Sequence, residues 1–221
     1  MKLTIVQDED PESPREWDNL GKMVCFHDRY NLGDDHDLRT GDFEAWAWLK
    51  THLQEEEGAI VILPLYLYDH SGLTMSTSPF SCPWDSGQVG FIYTTKPSAK
   101  LTAEALDQAV YHAREVLESE VKAYDQFLRS DVWGYVIEDD EGNHVDSCWG
   151  LFGREYAEKE GQRMLEWHED ELKGMTPEEA AEVQMMEEEE RVGREPTDEE
   201  KREETRRVGE WYEARWAGTY G

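Results

Sequence analysis

Basic residues are scarce in this chain, cysteines are few and long apolar runs are missing. The 221 residues contain 22 Lys and Arg against 51 Asp and Glu, which gives a formal net charge of −29 at pH 7. Binding to phosphates depends on Lys and Arg, so direct nucleic-acid binding is not expected, and an anionic membrane surface is disfavoured for the same reason. No apolar run reaches the roughly 18 residues that a membrane span requires.

The cysteine content points to a reducing environment. Three cysteines are an odd and small number, which argues against a disulfide framework and favours the cytoplasm. The first ten residues are a short strand-like run followed by acidic residues, without the apolar segment of a secretory signal. A cytoplasmic location is therefore expected.

The acidic excess extends along the whole chain. Residues 1–150 hold 29 acidic and 11 basic residues, and residues 151–221 hold 22 and 11, so both parts are strongly negative. One interpretation is adaptation to a salt-rich cytoplasm, where self-repulsion is screened. The other is an acidic surface that binds a partner with a basic surface. The charge alone leaves both open.

Hydrophobic periodicity predicts an α+β fold. Apolar residues make up 38% of the chain and include nine tryptophans, enough for a core. The predicted strands are residues 2–7, 23–27, 59–68, 89–95, 132–138 and 144–149. Pro64 predicts a bulge or a sheet edge within the third strand. We expect a mostly antiparallel sheet of five or six strands with helices on one face, forming a core domain of residues 1–172.

Three helical regions accompany these strands. Asp42 is a candidate N-cap of the first helix, and Thr102 caps a long amphipathic helix that extends to Leu128. The helical period returns at Arg154 and continues to residue 221. Residues 173–221 are predicted to be an acidic helical extension, with a solvated arm around Glu187, Glu188, Glu189 and Glu190 and a terminal apolar stripe at Val208, Trp211, Tyr212 and Trp216. That stripe would dock on the chain's own core or on a second copy in a homo-oligomer.

Candidate chemistry gathers around a nearly uncharged loop, residues 69–88. Asp69 and His70 leave the most apolar strand, and Cys82, Trp84 and Asp85 close the loop that follows. A thiol, an imidazole and a carboxylate can form an activated cysteine site, so His70, Cys82 and Asp85 are candidate catalytic residues. Asp69, His70 and Trp84 are candidate binding residues, as are the four glutamates of the arm. The plainer interpretation is a turn in which Asp69 bonds the backbone.

A zinc site is a further candidate. Cys25 and His27 are two residues apart on one predicted strand, and Asp146 and Cys148 are two apart on another, so these four side chains could face one another if the strands are neighbours. No zinc-finger spacing supports this, and free cysteines often pack as small hydrophobes. The default expectation is therefore that the protein has no metal or other cofactor.

Several sequence blocks resemble a family of uncharacterised proteins encoded in phage and prophage genomes. The blocks are Arg15-Glu16-Trp17-Asp18-Asn19-Leu20-Gly21, Met23-Val24-Cys25-Phe26-His27, Tyr30-Asn31-Leu32-Gly33-Asp34, Leu63-Pro64-Leu65-Tyr66-Leu67-Tyr68-Asp69-His70-Ser71-Gly72, Ser81-Cys82-Pro83-Trp84-Asp85-Ser86-Gly87-Gln88-Val89-Gly90 and Asp146-Ser147-Cys148-Trp149-Gly150. The resemblance covers roughly residues 1–155. It implies a small accessory protein of a virus or mobile element that acts in the host cytoplasm, and it implies no activity.

Three functions are compatible with these observations. The first is a non-catalytic protein that binds and inhibits a host protein, for instance as an acidic mimic of nucleic acid that occupies the basic groove of a host defence or replication enzyme. The second is a small enzyme, or a metal or small-molecule binder, with its site in residues 69–88. The third is a virion or scaffold component that self-associates through the helix at 102–128 or through the terminal stripe. The first is preferred because no known catalytic spacing is complete.

Overall fold

The computed structural model describes residues 1–39, 41, 44–95 and 103–174. Within these residues the chain is α+β, with three α-helices and seven strands in two antiparallel sheets. The elements are, in chain order, β1 (Lys2–Gln7), a 3₁₀ turn (Pro14–Glu16), β2 (Lys22–Cys25), α1 (Trp46–Glu55), β3 (Ala59–Asp69), β4 (Leu73–Ser76), β5 (Ser86–Thr95), α2 (Ala103–Leu128), β6 (Val132–Glu138), β7 (His144–Phe152) and α3 (Arg154–Gly174).

The α+β class and the antiparallel pairing are confirmed, but the prediction of one sheet with five or six strands is wrong. One additional strand, β4, lies inside the segment that was predicted to be a loop, and β5 begins there too, at Ser86. Leu73–Ser76 is only four residues long and is flanked by Ser and Gly, so its own sequence signal is weak. Pairing with the end of β3 and burial of Met75 stabilise it.

The four-stranded sheet has the order β2-β5-β3-β4. β3 lies between β5 and β4, so Pro64 is not on an edge strand. However, β4 pairs only with Tyr66 to Asp69 of β3, and Pro64 pairs with Phe91 of β5. A proline is tolerated there because the ladder on one side of β3 has not yet begun. The register shift in this region follows at Leu65 and Tyr66.

The prediction that the helices cover one face is wrong for this sheet. Alternate residues of a strand point to opposite faces, and β2 shows this directly. Met23 packs in one core cluster with Leu117 of α2, whereas Val24 packs in a second cluster with Leu49 of α1. Both clusters are buried, so α1 and α2 lie on opposite faces.

The apolar stripe of α2 is used within the fold. Ala113, Leu117, Val121 and Tyr124 all belong to the larger core cluster. This stripe is therefore not available for the self-association that a scaffold role was expected to use.

The second sheet has three strands in the order β1-β6-β7. β6 has the predicted bounds, and β6 and β7 form the predicted hairpin, closed by the Asp139 N–H donating to the Asn143 carbonyl at 2.9 Å. Gly142 has a φ of +87°, a conformation that glycine adopts without strain.

The described chain divides into two compact units. One contains Met1–Thr4, Val136–Ser147 and the described residues from Glu158 onward, and the other contains Ile5–Tyr135 and Cys148–Ala157. The complete four-stranded sheet, α1 and α2 belong to the second unit. Helix α3 begins at Arg154, as predicted.

Several sequence predictions lie outside the described residues. These are the cap at Thr102, nearly all of the acidic extension, the terminal stripe, and Glu187, Glu188, Glu189 and Glu190. The prediction of an N-cap at Asp42 is wrong, because α1 begins at Trp46 and its N-cap is Ala45. Among the helices that the structure does describe, none is both long and apolar enough to cross a membrane.

Candidate functional site

The polar residues of the predicted loop meet at one end of the four-stranded sheet. β3 ends at Asp69, which pairs with Leu73 of β4, and β5 begins at Ser86, which pairs with Tyr68. Because these strands are antiparallel, the turn after β3 and the loop before β5 emerge at the same end. The backbone N–H of Asp69 joins them by donating to the Asp85 carbonyl at 2.9 Å.

Asp85 is the centre of the side-chain cluster. Its Oδ2 atom lies 3.3 Å from Nδ1 of His70 and accepts a hydrogen bond from the Cys82 thiol at an Sγ–Oδ2 distance of 3.6 Å. The structure therefore brings together all three candidate catalytic residues. Both the imidazole and Asp85 are accessible, since the His70 side chain is 62% exposed and that of Asp85 is 39% exposed.

The order of these contacts differs from that of an activated cysteine site. In such a site the imidazole accepts the thiol proton, and a third group orients the imidazole. Here the carboxylate stands between the thiol and the imidazole, and within the described residues no hydrogen bond joins Cys82 to His70. The thiol is therefore hydrogen-bonded to a carboxylate and not to the imidazole, and these contacts hold the loop before β5 in place.

Asp69 extends the cluster toward the loop that follows β2. Its carboxylate forms an ion pair with Arg29, whose guanidinium lies 5.3 Å from the centre of the Tyr30 ring. That ring stacks on His27 at 4.9 Å. Arg29 could not be identified from the sequence, because a single arginine 40 residues from Asp69 carries no local pattern.

Trp84 is the most exposed large apolar residue in the described chain, at 91% exposure. The residues around it are held in place. The Ser86 hydroxyl donates to the Cys82 carbonyl, and Asp85 is bonded as described above. For the candidate binding residue Trp84, this exposure fits a contact surface and not the floor of a pocket.

The residues proposed for zinc are not brought together. Cys25 and His27 come from the β2 region and Asp146 and Cys148 from β7, and these two strands belong to different sheets. β2 ends at Cys25, so His27 lies beyond the strand that was predicted to align them. Among the described residues, no three His, Cys, Asp or Glu side chains are placed to hold a metal ion.

Cys25 itself is a core residue. It is buried in the cluster that packs against α2. Burial, together with the nearby charge of Asp34, raises the pKa of the Cys25 thiol to about 12, although Arg15 acts in the opposite direction. This corresponds to the alternative of a small buried hydrophobe. His168 lies 3.4 Å from Asp146 and gives that carboxylate a different partner.

A second polar cluster, largely buried and not foreseen from the sequence, is centred on Arg15. The guanidinium of Arg15 donates two hydrogen bonds to Asp34, each at 2.8 Å, one to Glu120 at 3.2 Å and one to the Gly21 carbonyl at 2.7 Å. Asp34 also accepts from the Met23 N–H at 2.7 Å.

In this buried cluster the positive charge of Arg15 is paired with the negative charges of Asp34 and Glu120. Burial lowers the pKa of Arg15, but the hydrogen bonds and charges of Asp34 and Glu120 raise it, and the net change is upward. The cluster joins the 3₁₀ turn, the start of β2 and α2. Its residues Arg15, Gly21 and Asp34 therefore have a structural role.

Comparison with known proteins found no matching family model, and no match among curated proteins or solved structures at the thresholds applied.

Proposed function

We propose that this chain is a non-catalytic accessory protein of a phage or mobile element, which binds and inhibits a host protein that has a basic surface. The observation that carries the proposal is the 91% exposure of Trp84, which lies in the loop before β5 next to the hydrogen-bonded Asp85. Exposed aromatic side chains of this kind are the residues that most often dominate protein–protein binding.

The hydrogen bonds next to Trp84 keep its loop ordered, and this order favours binding. A contact residue in an ordered loop loses less conformational freedom on association than one in a loose segment, so more of the contact energy appears as affinity. Asp69, Asp85 and Ser86 anchor this loop to the ends of β3 and β5. Functional residues are commonly found on loops that a rigid scaffold positions.

The charge of the chain determines the kind of partner. A net charge of −29 attracts a basic surface at long range and repels nucleic acid. The basic groove of a nucleic-acid-binding host enzyme fits this description, and the acidic run Glu187, Glu188, Glu189 and Glu190 would then act as a mimic of the phosphate backbone. That run lies outside the described residues, so the mimicry is proposed from charge alone.

A pull-down with matched tryptophan variants tests the proposal. The full chain is immobilised and exposed to bacterial lysate at low and moderate salt, together with Trp84→Ala and, as the control, Trp48→Ala. Trp48 is also exposed, at 46%, but it lies on α1 and stacks on His52. We expect a basic protein that the original chain and Trp48→Ala retain at low salt, that moderate salt releases, and that Trp84→Ala fails to retain.

The pull-down also has clear negative outcomes. Equal retention by Trp84→Ala and Trp48→Ala would place the contact elsewhere. Retention that salt does not weaken would contradict an electrostatic partner.

A small enzyme is the second candidate, favoured by the convergence of His70, Cys82 and Asp85. Cys82→Ser keeps a hydrogen-bond donor to Asp85 but removes the thiol, so this hydrogen bond should survive while any covalent chemistry is lost. Phage fitness or host inhibition that is unchanged in Cys82→Ser and in His70→Ala supports the binder. Loss of that phenotype in both variants, with circular dichroism unchanged, supports the enzyme.

A further inference from the structure

The loop that carries Trp84 is part of a larger aromatic surface at the end of the four-stranded sheet. The centre of the Tyr68 ring lies 5.6 Å from that of Phe80 and 6.0 Å from that of His70. His70 is held in turn by Asp85, the residue next to Trp84 in the chain. Tyr68, His70, Phe80 and Trp84 together make up the aromatic patch, which lies within one compact unit.

The aromatic patch begins on the face of the sheet that is opposite α2. Leu67 packs in the core cluster that contains the α2 stripe, and successive residues of a strand point to opposite faces, so Tyr68 points away from α2. The core cluster beneath α1 extends along β3 to Ile62 and does not include Tyr68. The patch is therefore accessible, from the half-buried Tyr68 to Trp84 at 91% exposure.

The aromatic patch is nearly free of charge, in contrast to the rest of the chain. Residues 71–84 contain no Asp, Glu, Lys or Arg, although these residues make up 33% of the sequence. The charged groups at its margin are paired, Arg29 with Asp69 and the imidazole of His70 with Asp85. This surface suits a partner that is itself apolar and carries charges of both signs at its margin.

A second copy of this chain presents that same chemistry. In a two-fold arrangement the same patch lies on both sides of the interface, so each residue of one copy meets its counterpart contact on the other. Such packing buries the Trp84 side chains of both copies. It also allows the exposed guanidinium of Arg29 on each copy to approach the carboxylate of Asp85 on the other.

We propose that two copies of this chain associate through the aromatic patch, with Trp84 at the centre of the contact. The net charge of −29 on each copy opposes this association at low salt, because the screening length is about 10 Å at 0.1 M. At about 1 M salt this length falls to about 3 Å, and the apolar contact prevails.

The size of the aromatic patch predicts a weak dimer. A large aromatic side chain buries about 150–250 Å². A stable interface of standard size buries about 800 Å² on each partner, so Trp84 supplies only a part of that area. The dimer should therefore form only at high protein concentration.

Self-association has the opposite salt dependence to the proposed function. Binding of a basic host protein depends on unlike charges and weakens with salt, whereas the association of two acidic copies strengthens. Both contacts use Trp84, so the dimer withholds this residue from a host protein. The two inferences can fail separately, since a chain that stays monomeric at every salt concentration can still retain a basic host protein through Trp84.

Sedimentation velocity of the full chain tests the proposal, over a range of protein concentrations at about 0.05 M and about 1 M NaCl. The variants are Trp84→Ala and, as the matched control, Trp48→Ala, which removes an exposed tryptophan from α1. We expect a monomer at low salt and a dimer at high salt for the original chain and for Trp48→Ala. Trp84→Ala should weaken the dimer by about tenfold or more.

Hydroxyl-radical footprinting with peptide mass spectrometry locates the contact. At high salt, oxidation of Trp84 should fall as the protein concentration rises, because association covers its side chain. Oxidation of Trp48 should stay constant over the same concentrations.

Three outcomes would overturn the proposal. The first is a monomer at both salt concentrations, and the second is a dimer that Trp84→Ala leaves unchanged. The third concerns the terminal stripe, tested with the double variant Trp211→Ala and Trp216→Ala. Loss of the dimer in this double variant but not in Trp84→Ala would assign self-association to that stripe.

Discussion

Two polar clusters of this protein contain similar groups but lie in opposite environments. The buried cluster of Arg15, Asp34 and Glu120 encloses a guanidinium that is 6% exposed, and each of its charges faces a partner. The exposed cluster of His70, Cys82 and Asp85 has an imidazole that is 62% exposed. Breaking a buried ion pair is strongly destabilising, whereas an exposed pair contributes little to stability. The buried cluster therefore stabilises the fold, whereas the exposed cluster contributes little to stability and is accessible to a partner.

The largest expected difference concerns the thiols near the two clusters. Cys25 lies beside the buried cluster, with its pKa raised to about 12 by burial first and by Asp34 second, whereas Cys82 is partly exposed. Since the thiolate is the reactive form, we expect iodoacetamide at pH 8 to modify Cys82 and Cys148 in the folded protein but Cys25 only after unfolding. Peptide mass spectrometry over time measures this. Labelling of Cys25 as fast as Cys82 would contradict its place in the core.

The same pKa gives a direction for alkaline stability. The folded value of about 12 lies above the usual value of 9.0, so the unfolded thiol ionises first as the pH rises. The contribution of Cys25 to stability is complete below pH 9 and is lost between about pH 9 and 12. Urea unfolding of the original chain and of Cys25→Ala across this pH range measures the contribution of Cys25 to the free energy of unfolding.

The next largest effect is expected from Arg15→Ala. Removing the guanidinium leaves Asp34 and Glu120 without a cation in a buried place, which should lower the free energy of unfolding by about 3 kcal/mol or more. The matched control is Arg29→Ala, which removes an ion pair to Asp69 from an arginine that is 67% exposed. That change should cost less than about 1 kcal/mol. Similar losses of unfolding free energy in Arg15→Ala and Arg29→Ala would contradict the difference in stability proposed for the two clusters.

The smallest effect is expected from Asp85→Asn. The substitution weakens the contacts to His70 and Cys82 but leaves the backbone bond from Asp69 in place. The free energy of unfolding should fall by less than about 1 kcal/mol at pH 7. A loss close to that of Arg15→Ala, measured by urea denaturation, would show that the exposed cluster also maintains the fold.

The sequence predicted the elements that have strong local signals. The alternation of residues 132–138 gave β6 with its observed bounds. The loop cluster was also foreseen, because Asp69 and Asp85 flank one segment between two apolar strands. In contrast, β4 depends on pairing with β3, and its short sequence does not identify it.

The buried cluster could not be predicted for a different reason. Arg15 and Asp34 are 19 residues apart, and Arg15 and Glu120 are 105 apart, so no spacing rule connects them. The proposed zinc site failed for the same kind of reason, since local alternation does not decide which strands are neighbours. β2 and β7 lie in separate sheets.

The most direct test measures two properties of Trp84→Ala: its free energy of unfolding and its retention of the proposed basic host protein. We expect the free energy of unfolding to stay within about 0.5 kcal/mol of the original value, because Trp84 is exposed, and the retention to be lost. Unchanged retention would contradict the account, as would a large loss of stability.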